Sequence, residues 1–364
     1  MIFDIECNMS YLFIDLFDIP RMTEAKLKNL LQTFSTPEAI FEASSIELSA
    51  VKGIDNDIAS NIKNYTRSKE TDEKCRRAEQ LGVKIISYLD TNYPKNLKNT
   101  SHSPPVLFIR GEIKEQDEKA LAIIGTRQPT PYGKMVAEKF ASELAQIGIT
   151  IVSGLARGID TAAHVGALKV NGRTIGVLGC GVDVYYPPEN RNLYNEIAQN
   201  GAVISEFNLG TTPFAMNFPK RNRIISGLSL GVLAVEAPAD SGVLNTVTWA
   251  ADQGREVFAV PGAIDRQNTA GTNRLIKDGA KPVFSIDDIC EELKIVFDRK
   301  EKKEIPVSDL EKKILDILSS EPLYPDQMTE ILKEPMPVLL PQLLSLEIKG
   351  LVKQLPGNKY VKTF

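Results

Sequence analysis

The sequence predicts an α/β protein whose doubly wound parallel sheet is preceded by a helical domain and followed by a winged helix-turn-helix module. Between about residues 120 and 280, apolar strand-like runs alternate with amphipathic helical segments. This order is typical of a parallel sheet with helices on both faces. Apolar residues at helical spacing dominate residues 1–82, and three helical segments followed by a hairpin turn occupy residues 308–364.

The composition is that of an ordinary globular protein. A chain of 364 residues suggests about two or three domains, and the net charge of −4 excludes a globally basic nucleic-acid coat. Any polyanion site must therefore be a local basic patch. The N-terminal segment carries four acidic residues before its first basic one, and no apolar run reaches the roughly 18 residues that span a bilayer. We therefore expect a cytoplasmic protein with no secretory signal and no membrane contact.

The cysteines and histidines argue against a metal centre. The four cysteines are far apart and form no C-x-x-C pair, which indicates reduced thiols: Cys7, Cys75, Cys180 and Cys290. Cys180 falls in an apolar run and is expected to be a small core residue. His102 lies in a predicted loop, and His164 in a predicted helix is expected to be a packed residue rather than a base. A metal site built on histidines is excluded.

The N-terminal domain, residues 1–82, resembles a SAM-like helix-hairpin-helix. In LSAVKGIDNDIASNIKNY, Asp55 occupies the place where this motif usually has a second glycine. Its carboxylate would repel a phosphate, which favours a structural or protein-contact role over DNA binding. Residues 83–119 hold two strand-like segments, VKIISYL and SPPVLFIRGEI, and are expected to form a connector at the start of the main domain, residues 83–297.

The last two segments are a linker and a small module. Residues 298–307 are charged, contain a proline and predict a linker. The module, residues 308–364, has the element order of a winged helix. Its last helix offers leucines where a DNA-reading helix would carry polar side chains: Leu339, Leu340, Leu343, Leu344 and Leu346. Leucines need burial, so a structural or protein-contact role is favoured here too.

The glycine-rich turns after the predicted strands form the candidate site, because parallel sheets bind phosphates at this edge. After the first strand, Gly125 allows close approach of the backbone, Thr126 offers a hydroxyl and Arg127 offers a planar fork of donors for phosphate oxygens. The second turn, SGLARGID, adds further candidates: Ser153, Gly154, Arg157 and Gly158. Asp160 is expected to cap the helix that follows, a structural role.

The segment FPKRNRIISG carries the densest positive charge of the main domain. We expect Lys220, Arg221 and Arg223 just before a helix, where cations oppose the macrodipole unless an anion is shared. Phe218 is placed to stack on a base, which contributes about 1–3 kcal/mol in single-strand binders. Arg173, by contrast, precedes its strand, and topology alone puts it at the opposite end of the sheet.

Signatures of nucleotide enzymes are missing. EAPADSGVLNT stands where one group of doubly wound nucleotide hydrolases carries P-G-G-x-G-T-x-x-E; it keeps Ser241 and Gly242 but lacks the glutamate. The sequence also has no G-x-x-x-x-G-K-[ST] loop, and no G-x-G-x-x-G follows the first strand. We therefore predict no catalytic residue, no metal and no cofactor.

Seven motifs, taken in order, resemble the DNA-processing protein A (DprA/Smf) family. They are GTR-x-P-x-x-x-G, VSGLARGID-x-AAH, G-x-TIGVLGCGVD-x-x-YP, SEF, FPKRNRIISGLS, EA-x-x-x-SG and GREVFAVPG. The resemblance is dense over about residues 105–290. It implies an extended Rossmann-like domain that binds single-stranded DNA without sequence preference and forms a homodimer. It also implies help in loading the RecA recombinase during natural transformation, and no catalytic step.

The resemblance assigns roles to particular residues. It implies DNA binding by Arg127 and by the basic residue of the 171–174 turn, Arg173, against the topological expectation. It places phosphate contacts at Ser153, Gly154, Lys220, Arg221 and Asn222. The chain departs from the family at SGVLNT, where an apolar-Thr pair usually follows SGS and this chain has Asn245.

Three functions are weighed. The leading hypothesis is a single-stranded DNA-binding recombination mediator. The alternative is a phosphoribohydrolase-like enzyme acting on a nucleotide monophosphate, which would need an acid in the crevice: Asp160, Asp183, Glu206 or Glu236. The third is a sensor that binds a nucleotide and signals through the winged helix.

Overall fold

The computed structural model describes residues 11–297, 306–318 and 322–362. The contacts within the chain divide it into two compact units, Met1–Val296 and Phe297–Phe364. Cys7 and nearly all of the predicted linker, residues 298–305, lie outside the described residues.

The first unit is built on a nine-stranded sheet with the order β1-β2-β6-β5-β4-β3-β7-β8-β9. Its strands are β1 Val83–Ser87, β2 Val106–Gly111, β3 Ala120–Ile124, β4 Thr150–Ser153, β5 Thr174–Val177, β6 Ala202–Ser205, β7 Gly231–Ala234, β8 Glu256–Ala259 and β9 Lys281–Pro282. Strands β3 to β9 are parallel, whereas β1 and β2 are antiparallel to their neighbours. The chain builds outward from β3 in one direction and then crosses to β7 on its other side, so the topological switch point lies between β3 and β7.

Helices cover both faces of this sheet. They are α7 Lys95–Lys98, α8 Pro131–Gln146, α9 Ile159–Lys169, α10 Arg191–Asn200, α11 Asn217–Leu228, α12 Val243–Asp252, α13 Gln267–Lys277 and α14 Ile286–Glu292. Alternate residues of β3 point to opposite faces, as the period of a strand requires. Leu121 and Ile123 pack with α8 and α9, whereas Ala122 and Ile124 pack with α11 and α12. The predicted doubly wound α/β fold is confirmed.

The segment predicted as a connector belongs to the sheet instead. β1 and β2 pair with each other, and β2 pairs with β6, so they extend the parallel sheet at one edge. The N-terminal helices pack on Val106 and Phe108 of β2. They are α1 Leu12–Asp18, α2 Glu24–Phe34, α3 Pro37–Glu42, α4 Ser45–Ser49, α5 Asn56–Lys63 and α6 Lys69–Gln80. The N-terminal helical domain therefore packs against the apolar faces of β1 and β2.

The hairpin between α4 and α5 shows why Asp55 replaces a glycine. Its carboxylate accepts a hydrogen bond from the Ile58 N–H at 2.9 Å and caps α5. It also lies 2.6 Å from the Arg21 guanidinium. The helix N–H group that a phosphate would approach is therefore already engaged by a carboxylate.

The second unit has the element order of a winged helix. Its elements are α15 Asp309–Ile317, α16 Pro325–Leu332, α17 Met336–Ile348, β10 Val352–Leu355 and β11 Lys359–Lys362. Leu339, Leu343 and Leu346 are buried as predicted. Leu340 and Leu344 are 45% and 58% exposed, so the expectation that the leucines of this helix are buried is wrong for these two.

Candidate nucleic-acid interface

A crevice of about 1010 Å³ opens at the carboxyl ends of the parallel strands, on either side of the switch point. Its walls come from the turns after β3, β4, β5, β6 and β7 and from α11, α12 and α13. Eight of the predicted site residues line it: Gly125, Thr126, Arg127, Phe218, Arg221, Asn222, Ser241 and Gly242. Turns distant in sequence meet here because parallel strands end at one edge of the sheet.

Arg127, Phe218 and Tyr186 form an aromatic and cationic platform in this crevice. The Arg127 guanidinium lies 5.6 Å from the centre of the Phe218 ring, and that ring lies 5.4 Å from the Tyr186 ring. Arg127 is exposed and forms no salt bridge within the described part of the chain. Its donors are therefore available to an anion, next to rings on which a base can stack.

Tyr186 was not among the residues predicted from the sequence. It follows β5 in the segment GVDVYYPPEN and lines the same crevice as Phe218. A pair of tyrosines after the carboxyl end of a parallel strand was the available signal.

Arg221 lies beneath the platform and is buried. Its Nη1 donates to the carbonyl oxygens of Gly154, at 2.8 Å, and Val177. Burial lowers the pKa of Arg221 to about 10, an effect that the nearby Asp160 opposes. Burial likewise raises the pKa of Asp160, which Arg221 opposes. The two charges stabilise each other, so Arg221 supports the floor of the crevice rather than presenting a free charge.

We expected the basic segment to precede a helix, but it lies inside one. α11 begins at Asn217, which places Lys220, Arg221 and Arg223 in its first two turns. Pro219 is accommodated because it lies in the first turn, where the N–H that proline lacks would have no partner within the helix. Because residues 220, 221 and 223 lie at different angles around the helix axis, the three cations point in different directions.

The other cations of the candidate list are engaged by carboxylates. Arg223 is buried and its Nη1 lies 2.8 Å from Glu206. Lys220 lies 2.6 Å from Glu24 of α2. Arg157 is exposed, but its Nη2 lies 3.2 Å from Glu189. Two of the predicted basic residues line the crevice: Arg221 is buried and bound to carbonyl oxygens, whereas Arg127 is exposed and has no ion pair among the described residues.

Ser153 and Gly154 do not line the crevice, because both are used by the turn itself. The Ser153 hydroxyl donates to the Ile123 carbonyl at 2.6 Å. The Gly154 N–H donates to Asp160 at 3.1 Å, and a Cβ at Gly154 would lie 2.5 Å from Arg221 Nη2. This glycine gives room to the buried Arg221–Asp160 pair.

The N-cap of α9 is not the residue that we expected. The helix begins at Ile159 with Gly158 as its N-cap, so the prediction that Asp160 caps the helix is wrong. Gly158 has φ +84°, and a Cβ there would lie 2.8 Å from the Pro129 Cδ. Only glycine adopts this conformation in the available space. The Cβ of a residue at 125 would likewise meet Ile159, at 2.7 Å from its Cβ, so Gly125 serves packing first.

His164 is fully buried, as its interpretation as a packed residue requires. Its Nδ1 lies 2.7 Å from the Thr174 hydroxyl, which itself donates to the Ile151 carbonyl at 2.8 Å. Nδ1 therefore carries the proton, and Nε2 has no hydrogen-bond partner among the described residues. Burial lowers the pKa of His164 to about 3, so the ring is neutral.

Arg173 lies at the amino end of β5, as topology predicted. Its Nε and Nη2 lie 2.8 Å and 2.7 Å from Asp117, a buried residue that also accepts from the Thr150 hydroxyl. This pair joins the starts of β4 and β5. Arg173 does not meet the crevice, which lies at the other end of these strands.

Asn245, the residue at which the chain departs from the family pattern, contacts a predicted site residue. Its side-chain oxygen accepts a hydrogen bond from the Asn222 amide at 3.3 Å, and both residues line the crevice. The Ser241 hydroxyl accepts from the Val243 N–H at 3.2 Å at the start of α12. This wall of the crevice is therefore polar and uncharged, apart from the exposed Asp240.

The acids that a hydrolase would need are already engaged. Asp160 accepts two backbone N–H groups, and Glu206 pairs with Arg223. Asp183 lies 3.0 Å from Arg77, and Glu236 accepts from the Thr130 N–H at 2.9 Å. Within residues 11–297, 306–318 and 322–362, no three His, Cys, Asp or Glu side chains are grouped so as to hold a metal ion. In the same ranges no helix is long and apolar enough to cross a membrane.

Three family models match the chain. The model described as DNA recombination-mediator protein A matches residues 84–294, and the DprA winged helix domain matches residues 298–358. A SAM-like helix-hairpin-helix tandem matches residues 13–67. Their order is that of the three parts expected from the sequence.

Known relatives are similar over most of the chain. Protein Smf from Synechocystis is 35% identical, with 92% of this chain and 94% of that protein covered. The structure of DNA processing protein A from Streptococcus pneumoniae is 33% identical, with a TM-score of 0.69 over 79% of this chain and 98% of that one. The protein of the same name from Helicobacter pylori, described for its single-stranded DNA binding mode, is 33% identical with a TM-score of 0.53, over 59% and 97% of the two chains.

Proposed function

Because the chain belongs to the DNA recombination-mediator protein A (DprA/Smf) family, we propose that it binds single-stranded DNA, without sequence preference, in the crevice at the switch point. One observation carries the proposal: the exposed, unpaired Arg127 lies 5.6 Å from the ring of Phe218, which packs against Tyr186. A phosphate meets the guanidinium while a neighbouring base stacks on a ring. Since every base has such a face and every nucleotide a phosphate, this recognition ignores sequence.

The roles of the individual residues follow from their contacts. Arg127 contacts phosphate, and Thr126, Asn222, Ser241 and Gly242 offer hydrogen-bonding groups along the wall. Arg221 holds the floor of the crevice by its buried bonds to Gly154 and Val177. We assign no direct DNA contact to Arg173, because its guanidinium is held by Asp117.

We extend the proposal to the assembly that the family resemblance implies. The protein protects incoming single strands in the cytoplasm during natural transformation, forms a homodimer through the sheet domain and helps to load RecA. Two features are compatible with a second copy: β9 is the last strand at one edge of the described sheet, and Phe284, two residues after it, is 73% exposed. Light scattering tests the dimer, and RecA filament formation on protein-coated strands tests the loading.

The binding proposal is tested by titrating labelled poly-dT and a duplex of the same length at several salt concentrations. We expect tighter binding to the single strand and an affinity that falls steeply with salt, because phosphate contacts release counterions. Equal affinity for both DNAs, or binding that ignores salt, would overturn it.

The runner-up, a phosphoribohydrolase-like enzyme, makes a different prediction. It requires a free acid near the crevice, and the four candidate acids are each held by other groups. Incubation with nucleoside monophosphates should therefore release no free base. Release of base that is lost in Asp160→Asn, with the fold retained, would establish the enzyme instead.

A further inference from the structure

We propose that a second groove, between α6 and the turn after β5, continues the path of the DNA strand beyond the crevice. This inference rests on the proposed function and names where additional phosphates bind. The groove has a volume of about 470 Å³ and is lined by Glu73, Arg76, Arg77, Gln80, Leu81, Asp183 and Tyr185. It brings the N-terminal domain into contact with the strand.

Unpaired cations lie in and beside this groove. Binding driven by phosphates needs several cations, yet the crevice offers Arg127 as its unpaired cation in the described structure. In the groove, Arg76 is exposed and has no carboxylate partner among the described residues; its Nε donates to the Asp72 carbonyl at 3.4 Å. Arg191, on the adjoining helix α10, is also exposed and forms no ion pair in the described ranges.

The acids of the groove do not cancel these charges. Asp183 is 4% exposed and is bound by the Arg77 Nε at 3.0 Å and by the Gly210 N–H at 2.9 Å. Glu73 is exposed at the rim and opposes an anion. Arg76 in the groove and Arg191 beside it therefore remain unpaired among the described residues, against the free carboxylate of Glu73.

A fixed aromatic ring, Tyr185, carries one of these cations. The Arg191 guanidinium carbon lies 5.0 Å from the centre of the Tyr185 ring. Tyr185 is fixed by an edge-on contact with Tyr194, at 4.9 Å between ring centres, and by a hydrogen bond from Arg110 to its hydroxyl at 3.2 Å. An exposed guanidinium lying on a fixed ring presents a flat cationic surface, which suits both a base and a phosphate.

Two consecutive tyrosines connect the groove with the crevice. Tyr185 lines the second groove, and Tyr186 lines the crevice. Consecutive Cα atoms lie about 3.8 Å apart. A strand that leaves the platform of Arg127 and Phe218 across this turn meets Tyr185, whose ring contacts Arg191 and which lines the groove together with Arg76.

The test compares short and long strands. Fluorescence anisotropy is measured with dT oligonucleotides of about 4 and about 16 nucleotides, the range that single-strand modules cover. The variants are Arg76→Glu and Arg191→Glu. The matched control is Lys98→Glu, which replaces an exposed cation of α7. This helix lies at the amino end of the parallel strands, because Asn96 donates a hydrogen bond to the carbonyl of Glu118, just before β3.

We expect each groove variant to weaken binding of the long strand about tenfold or more, because the substitution removes a charge-assisted hydrogen bond and adds repulsion. The salt slope should fall by about 0.7 for each phosphate that the variant no longer binds. Binding of the short strand should stay within twofold of the control. Glu73→Lys should strengthen binding of the long strand, a gain that misfolding cannot produce.

Affinities of Arg76→Glu and Arg191→Glu for the long strand that match the control, with no gain in Glu73→Lys, would overturn the groove. That result leaves the crevice standing if Arg127→Ala still weakens binding of the short strand. Absence of wild-type binding to either strand would instead refute the proposed function, and the groove with it.

Discussion

Replacing Arg127 by alanine separates a binding role from a structural one. The side chain is exposed, forms no salt bridge in the described chain and lies 5.6 Å from the Phe218 ring. An exposed cation–π contact contributes about 0.5–1 kcal/mol to stability. In a domain of this size that corresponds to a fall in Tm of about 4 °C at most.

The expected effect on binding is much larger. A charge-assisted hydrogen bond to phosphate contributes about 1.5–3 kcal/mol. Arg127→Ala should therefore weaken binding of a short dT strand about tenfold to a hundredfold. The slope of log affinity against log salt should fall by about 0.7 when one phosphate is no longer bound. Anisotropy titrations at four salt concentrations and a thermal melt of the same preparation provide the two readouts.

Arg221→Ala is the comparison, because the two arginines line one crevice with opposite roles. Arg221 is 4% exposed, and its loss removes the cation that stabilises the buried Asp160 carboxylate, which keeps its hydrogen bonds to the turn. Removing one partner of a buried pair costs about 3–5 kcal/mol, so this variant should melt far below Arg127→Ala. An Arg127→Ala protein that binds DNA like the wild type, or that melts as early as Arg221→Ala, would refute the reasoning.

Three further predictions concern single side chains. Phe218→Leu keeps an apolar side chain but removes the π-face, and should weaken binding of a short dT strand by about 1–3 kcal/mol in an anisotropy titration; unchanged affinity would exclude base stacking there. Burial lowers the pKa of His164 to about 3, so the unfolded state takes up the proton first. The free energy of unfolding should then fall as the pH drops below about 6.5, by up to about 1.4 kcal/mol per pH unit, and urea titrations of His164→Gln should lack this slope. In the winged helix, hydrogen bonds from Lys349 and Ser345 hold the pKa of Glu311 at about 2. This stabilisation is present above the unfolded value of about 4.3 and is lost as the pH falls toward 2; a thermal melt of Glu311→Gln at pH 7 that matches the wild type would contradict it.

The sequence was informative about local order and about the edge of the sheet that holds the site. Apolar runs located the strands of the main domain, and their alternation with helical segments predicted a doubly wound sheet. The turns containing Arg127 and Ser241 could be brought to one crevice on topology alone. The same reasoning placed Arg173 at the far end, where the structure has it bound to Asp117. The family prediction is confirmed, whereas the individual DNA contacts stay predictions.

Long-range pairing could not be predicted from the sequence. Lys220 forms an ion pair with Glu24, which is 196 positions away in the sequence. The segment FPKRNRIISG contains no signal that predicts this partner. The burial of Arg223 against Glu206 is equally hidden, because it depends on where α11 starts. A dense run of cations therefore suggested an open basic patch where the fold mostly builds ion pairs.

The most direct test of the account is to ask which residues a bound strand touches. An oligo-dT carrying 5-iododeoxyuridine is irradiated in complex with the full chain, because this base crosslinks to aromatic rings stacked on it, and the crosslinked peptides are mapped by mass spectrometry. We predict crosslinks at Phe218 or Tyr186, which disappear when unlabelled dT is added in excess. Crosslinks confined to the winged helix or to the hairpin around Asp55, with none at these two rings, would contradict the central claim that the crevice holds the strand.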